Sequence, residues 1–107
     1  MSASKRKKTK EANVSVVIPC YNEASGVTES LDELRMGRQD RDDVEIIAVN
    51  DGSSDDTPAI LDDYVAQAPE MRVLHNNPNL GYGASLKRGI REAKGEIIVI
   101  TDADGTY

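Results

Sequence analysis

The chain has 107 residues, with 13 Lys and Arg against 19 Asp and Glu and a formal net charge of -6, a length that fits one domain. Lys5, Arg6, Lys7, Lys8 and Lys10 precede the first apolar run and leave an acidic body; without a basic face to replace counterions, nucleic acid is not an expected partner. No stretch approaches the roughly 20 apolar residues of a membrane span, the run from Val14 to Ile18 is too short for a secretory signal, and the lone Cys20 excludes an internal disulfide. The chain reads as cytoplasmic.

Residues 1–12 form a basic tail, expected either as a disordered, solvated arm or as a segment drawn to anionic headgroups at about 1 kcal/mol per basic residue. Residues 13–107 follow as the folded part. Their apolar content is mainly Val, Ile, Leu and Ala, with no Phe or Trp, which suits a buried sheet between helices. The first strand is expected at Val14 to Ile18. A helix follows, with Val27, Leu31 and Leu34 on one face at spacings of four and three.

The second strand is expected at Glu45 to Val49. After it, Ser53, Ser54, Asp55, Asp56 and Thr57 form a cluster of N-cap residue types, and Pro58 fits the first helical position, where its missing N–H is not needed. Ile60, Leu61, Tyr64 and Val65 give that helix its buried stripe. The third strand is expected at Arg72 to His75. The third helix starts near Gly83, buries Leu86, Ile90 and Ala93, and ends at Lys94 and Gly95. A fourth strand spans Glu96 to Thr101, and its unalternating Ile97, Ile98, Val99 and Ile100 predict a strand covered on both faces.

This alternation predicts an α/β fold with a mostly parallel sheet of about four strands flanked by helices. Right-handed crossovers then bring Pro19, Asn50, Asp51 and Asp102 to one carboxyl-terminal edge, the ligand edge of open parallel sheets. Glu23, Asp51, Asp102 and Asp104 therefore converge from distant positions. Like charges about 4 Å apart repel by about 4 kcal/mol at an effective dielectric of 20, so such a group needs a cation, a shared proton or outward geometry. For Asp102 and Asp104, Mg2+ or Mn2+ completed by substrate phosphate oxygens is the natural partner, and Gly105 lets the chain turn so that both oxygens face one site.

Asp51-Gly52-Ser53 is turn chemistry in one reading; in another, the Asp51 carboxylate accepts hydrogen bonds from a nucleotide. Pro19-Cys20-Tyr21-Asn22-Glu23 leaves a strand with one aromatic and two hydrogen-bonding side chains, suited to holding a base, although Tyr21 also fits the core and Asn22 an N-cap. The N–H groups of Asn79-Leu80-Gly81-Tyr82-Gly83 precede a helix and face an anion in one reading, a weak signal without a third glycine. Lys87, Arg88 and Arg91 read as a solvated helix face. His75 and Cys20 have no partners at ligand or triad spacing.

In order, Val16-Val17-Ile18-Pro19-Cys20-Tyr21-Asn22-Glu23, Ala48-Val49-Asn50-Asp51-Gly52-Ser53-Ser54-Asp55, Asn79-Leu80-Gly81-Tyr82-Gly83 and Ile100-Thr101-Asp102-Ala103-Asp104 closely resemble family-2 glycosyltransferases of GT-A fold. The nearest resemblance is to the dolichyl- or polyprenyl-phosphate mannosyl- and glucosyltransferase branch. It implies the Rossmann-like, nucleotide-binding half of a GT-A domain, a hexosyltransferase that acts with inversion on a UDP- or GDP-linked sugar, and an acceptor that in this branch is a polyprenyl phosphate at the inner face of the membrane.

Carried over, the resemblance places Pro19, Tyr21, Glu23, Val49 and Asp51 at the nucleoside, with Asn22 and Gly52 in the same motifs, and Asp102, Ala103 and Asp104 at the ribose, diphosphate and metal. Asn50 departs from the many relatives that have a second acid there. Relatives continue for at least another hundred residues, which supply the acceptor site and usually the catalytic base, so the base is expected beyond Tyr107 and the chain alone is expected to be inactive. Two other readings stand beside this one. The apolar strand followed by Asp102-Ala103-Asp104-Gly105-Thr106 resembles the nucleophile motif of haloacid-dehalogenase-type phosphatases, with Asp102 attacking phosphorus; alternatively, the chain is a noncatalytic nucleotide-binding module. An exposed sheet edge would also let two copies pair as a homo-oligomer.

Overall fold

The computed structural model describes residues 12–38 and 41–103. The expectations for the tail, other than Ala12, and for Asp104 to Tyr107 lie outside the described residues. The elements run β1 (Val14–Cys20), α1 (Val27–Gly37), β2 (Val44–Asp51), α2 (Thr57–Val65), β3 (Met71–Asn76), α3 (Tyr82–Glu92) and β4 (Ile97–Ile100). All strand pairs are parallel, in the order β3-β2-β1-β4.

The chain moves outward from β1 to β2 to β3, then returns to place β4 on the other side of β1. With crossovers of one hand, this reversal puts α1 and α2 on one face and α3 on the other. The side chains follow that division. Val16, Ile18, Cys20, Ile46 and Ala48 pack with Val27, Leu31 and Leu61 on the first face, whereas Val17, Ile47 and Val49 pack with Leu86 and Ala93 on the second. The strand-order reversal lies between β1 and β4, so the ends of these two strands part and leave a crevice.

β1 and β2 each run two residues further than their apolar patterns indicate, because the parallel ladder continues through Pro19 opposite Val49 and Cys20 opposite Asn50, and through Asp51 opposite Asn76. Asn50 and Asp51 therefore end a strand rather than follow one. In α2, Thr57 is the first helical residue and Pro58 the second, and the Asp55 carboxylate accepts the Thr57 N–H at 2.9 Å.

Two expectations are corrected. β4 is not covered on both faces: it pairs with β1 alone among the described strands, and Ile97, Ile98, Val99 and Ile100 are 53%, 39%, 43% and 45% exposed. An apolar run records that burial is favourable, not which neighbour supplies it. In α3, the buried positions are Ser85 and Gly89, with Leu86 and Ala93 part-buried, while Ile90 is 40% exposed. The cause is steric. A Cβ on Gly89 would sit 2.5 Å from Val17 Cγ1 and 3.2 Å from Val49 Cγ2, so the helix lies closest to the sheet where it has no side chain, turning Ile90 aside.

No helix among the described residues is long and apolar enough to cross a membrane.

Candidate functional site

At the carboxyl edge, between the ends of β1 and β4, lies a cavity of about 250 Å³. The exit of β1 supplies Pro19, Cys20, Tyr21 and Glu23; the end of β2 supplies Asp51; the loop into α3 and its first turn supply Asn79, Gly81, Tyr82 and Ser85; and the exit of β4 supplies Asp102 and Ala103.

The β1 exit is held by the loop that precedes α2. Asn22 adopts φ 52, a left-handed conformation that Asn tolerates better than most residues. Its Oδ1 accepts the Ser54 N–H at 2.8 Å, and its own N–H donates to Ser53 Oγ at 3.0 Å. The Glu23 N–H donates to Thr57 Oγ1 at 3.0 Å and the Ala24 N–H to the Asp55 carboxylate at 3.2 Å. At the β4 exit, the Thr101 N–H donates to the Val17 carbonyl at 3.1 Å, and buried Ser30 on α1 donates its hydroxyl to the Ala103 carbonyl at 2.9 Å. Asp102 is exposed between these two anchors.

Asp51 sits at the back of the cavity and is 4% exposed. Its Oδ1 accepts the Leu80 N–H at 2.7 Å and Asn76 Nδ2 at 3.2 Å; its Oδ2 accepts the Gly81 N–H at 3.0 Å and Asn79 Nδ2 at 3.1 Å. Burial opposes ionisation, but the Leu80 N–H, the Asn76 amide, the Gly81 N–H and the Ser85 hydroxyl outweigh it and hold the carboxyl below the usual aspartate range. Asn79 Nδ2 also reaches the Asp51 carbonyl at 2.8 Å. Asn76 is oriented in turn by Arg88, whose Nη1 donates to Asn76 Oδ1 and to the His75 carbonyl, both at 2.7 Å. Gly52, at φ +67, lets the loop close down: a Cβ there would run into the Asn79 backbone, 2.7 Å from its Cα.

Of the residues expected at a nucleotide, the fold brings Pro19, Tyr21, Glu23, Asp51, Asp102 and Ala103 together around the cavity. Val49 is fully buried beside Val17 and Ile47. Asn22 and Gly52 stand behind the wall as its supports. The loop N–H groups of Leu80 and Gly81 do face an anion, the chain's own Asp51 carboxylate. Asn76, Ser85 and Ser30 carried no signal in sequence beyond their polarity, because their partners lie 9 to 73 residues away, whereas Asn79 opens the Asn79-to-Gly83 motif and its bond to the Asp51 carbonyl appears only in the fold.

His75 lies outside this cavity and does have partners. Asn50 Nδ2 donates to its Nδ1 at 2.9 Å, which leaves the Nε2–H to donate to Asp62 at 2.9 Å. Burial, with the Glu23 charge second, pushes the Cys20 thiol up to about 12, so it stays protonated and is a poor nucleophile near neutral pH. Lys87 and Arg91 are exposed as expected of a solvated face, whereas Arg88 is half-buried in the loop network. Among the described residues no group of three or more His, Cys, Asp or Glu side chains is gathered to hold a metal ion. Asp102 is the described carboxylate of its motif, and a site of one or two carboxylates completed by diphosphate oxygens matches the donor chemistry of a hard divalent ion.

Comparison with known proteins gives a consistent picture. The chain is 38% identical over 101 residues to a dolichyl-phosphate beta-glucosyltransferase of Trichomonas vaginalis, covering 89% of this chain and 30% of that protein. It is 33% identical to the dolichyl-phosphate beta-glucosyltransferase of Dictyostelium discoideum, covering 86% of this chain and 31% of that protein. It thus spans less than a third of the length of these relatives. Among solved structures it superposes on the mannosyltransferase PcManGT from Pyrobaculum calidifontis, in complex with GDP-Man and Mn2+, with TM-score 0.78 and 32% identity over 94% of this chain and 33% of that one. TarS of S. aureus in complex with UDP-GlcNAc superposes with TM-score 0.76 and 29% identity over 86% of this chain and 26% of that one. The family model for glycosyl transferase family 2 matches residues 15–107, a span that takes in every strand exit around the cavity. The chain belongs to glycosyl transferase family 2.

Proposed function

We propose that the cavity binds the nucleoside diphosphate of a sugar donor, and that the chain is the donor-binding part of an inverting hexosyltransferase whose acceptor is a polyprenyl phosphate. The observation that carries this reading is the meeting of the Pro19-to-Glu23 exit and the Asp102-Ala103 exit where the strand order reverses. The complexes of PcManGT with GDP-Man and Mn2+ and of TarS with UDP-GlcNAc support it, and the dolichyl-phosphate glucosyltransferase relatives support the acceptor class.

In this reading Tyr21, half exposed at the cavity rim, offers its ring to the base. Pro19 fixes the direction in which β1 leaves the sheet, Glu23 offers its carboxylate as an acceptor, and Val49 shapes the floor from beneath. Ala103, held by Ser30, presents its backbone to the ribose or diphosphate. Asp102 and Asp104 would hold Mg2+ or Mn2+, which stabilises the charge that accumulates on a departing nucleoside diphosphate. Inversion follows from in-line displacement: the acceptor oxygen bonds to the anomeric carbon as the bond from that carbon to the diphosphate oxygen breaks. A phosphate acceptor is already anionic near neutral pH and depends less on a general base than on orientation. The site then works at the cytoplasmic face of a membrane.

Thermal unfolding with UDP or GDP tests this reading. A nucleotide present at 100 times its dissociation constant stabilises the fold by about 2.7 kcal/mol. The increment is expected with Mn2+ and should largely vanish with chelator; equal increments in both would remove the metal from the site, and no increment with either nucleotide would refute the assignment of the cavity.

A further inference from the structure

His75 and Asn50 face each other across the parallel ladder of β2 and β3. Asn50 is buried, and both ends of its side-chain amide are in use: Oδ1 accepts the Ser53 N–H at 3.2 Å, and Nδ2 donates to His75 Nδ1 at 2.9 Å. A backbone N–H can only donate, so Ser53 fixes which end of the amide holds the oxygen. The ring nitrogen at the other end is then a bare acceptor, and the proton of the neutral ring sits on Nε2, which donates to Asp62 of α2 at 2.9 Å. On the α3 side, Arg88 holds the His75 carbonyl at 2.7 Å. The imidazole thus presents a lone pair to Asn50.

We propose that His75 is a positioning residue for the cavity: by accepting from Asn50, it sets the Ser53 loop that holds the exit of β1. The proposal rests on the reading of the cavity as a nucleoside-diphosphate site. From Ser53 the path continues to β1, because Ser53 Oγ accepts the Asn22 N–H at 3.0 Å and the neighbouring Ser54 N–H donates to Asn22 Oδ1 at 2.8 Å. Asn22, at φ 52, joins Tyr21 to Glu23, and both of these line the cavity. His75 is not among the lining residues, so it acts through β2 and the loop before α2. Water in place of the ring does not supply the same constraint. A water molecule donates as readily as it accepts and can bond to either end of an amide, whereas the bare Nδ1 only accepts. The substitution His75→Asn keeps an acceptor at the place of Nδ1, in its carbonyl oxygen; His75→Gln moves that oxygen to the place of Nε2.

Nitrogen NMR of the full chain reads the tautomer, and amide exchange together with titration of UDP or GDP plus Mn2+ reads the path. His75 is expected with a protonated Nε2 and a bare Nδ1; a proton on Nδ1 instead overturns the proposal. In His75→Ala and His75→Gln, the Ser53 and Asn22 amides are expected to exchange faster and nucleotide affinity to fall about threefold or more, the scale of one neutral hydrogen bond. His75→Asn should restore both. A His75→Ala chain that binds nucleotide like the parent refutes the link to the cavity. A His75→Asn chain as weak as His75→Ala assigns the effect to ring packing rather than to the lone pair, which also overturns the proposal. A parent chain that binds neither nucleotide refutes the cavity reading and the link to binding with it. That failure is told apart by a tautomer and a Ser53 exchange rate that still respond to substitution at His75 as expected.

Discussion

Replacing Gly52 with alanine tests how closely the site depends on the contact between β2 and the loop before α3. At φ +67 an alanine incurs about 1–2 kcal/mol of backbone strain. Its Cβ would also lie 2.7 Å from Asn79 Cα and 2.9 Å from the Pro78 carbonyl carbon, both backbone atoms that no rotamer change can move. The loop must therefore back away from β2, which stretches the bonds from Asn79, Leu80 and Gly81 to Asp51. Hydrogen bonds to a charged group are worth about 1.5–3 kcal/mol each, so losing one brings the expected total to about 2.5–5 kcal/mol. For a domain near this size, that is a fall in melting temperature of about 10 °C or more. Gly83→Ala is the control: nothing lies within 4 Å of its added Cβ, and within α3 the change should stabilise by up to about 1 kcal/mol. Urea unfolding of both variants, paired with the nucleotide-dependent thermal shift, reads the effect. A Gly52→Ala protein that loses less than about 1 kcal/mol and still binds nucleotide would refute the packing argument.

Ser30→Ala removes the hydroxyl that holds the Ala103 carbonyl at 2.9 Å; a loss of about 1 kcal/mol in urea unfolding is expected, together with a smaller metal-dependent nucleotide shift, and an unchanged shift would show that the β4 exit needs no tether. Asp104→Ala should abolish the Mn2+-dependent part of that shift while leaving unfolding without nucleotide unchanged, so a variant that keeps the increment shows that Asp104 is not a ligand. Stability should also fall in acid. Burial resists ionisation of Glu70, but Arg35 at 2.7 Å, with Arg38, outweighs it and holds the carboxyl below its usual range, as the loop donors do for Asp51. A carboxyl depressed in the folded state contributes stability that is full above its unfolded value, about 4, and is lost as pH falls through the folded one. Glu70→Gln should therefore flatten the decline of the urea midpoint below about pH 4, and an unaltered acid limb would count against the pairing.

The order of strands and helices was legible because local periodicity records it. β-branched runs alternate with helical stripes, and Val27, Leu31 and Leu61 are buried where their spacing puts them. The sheet-edge position of Pro19, Tyr21, Glu23, Asp51 and Asp102 was legible too, since parallel strands joined by right-handed crossovers have no other place for their carboxyl ends. Membership of the family could be read from four short motifs in order.

Tertiary structure alone decided the rest. The run from Ile97 to Ile100 has the composition of a central strand, yet its position follows from where β4 returns beside β1. The rotation of α3 follows from the approach of Gly89 to Val17 across the sheet, which a hydrophobic stripe along one helix does not encode. For Asp51 the residue type announces a charge and an acceptor, but only the folded chain determines which donors take its lone pairs. Those donors come from Asn76, Asn79, Leu80 and Gly81, 25 to 30 residues along the chain. Sequence thus fixes what a group is able to bind, and packing fixes what it has already bound.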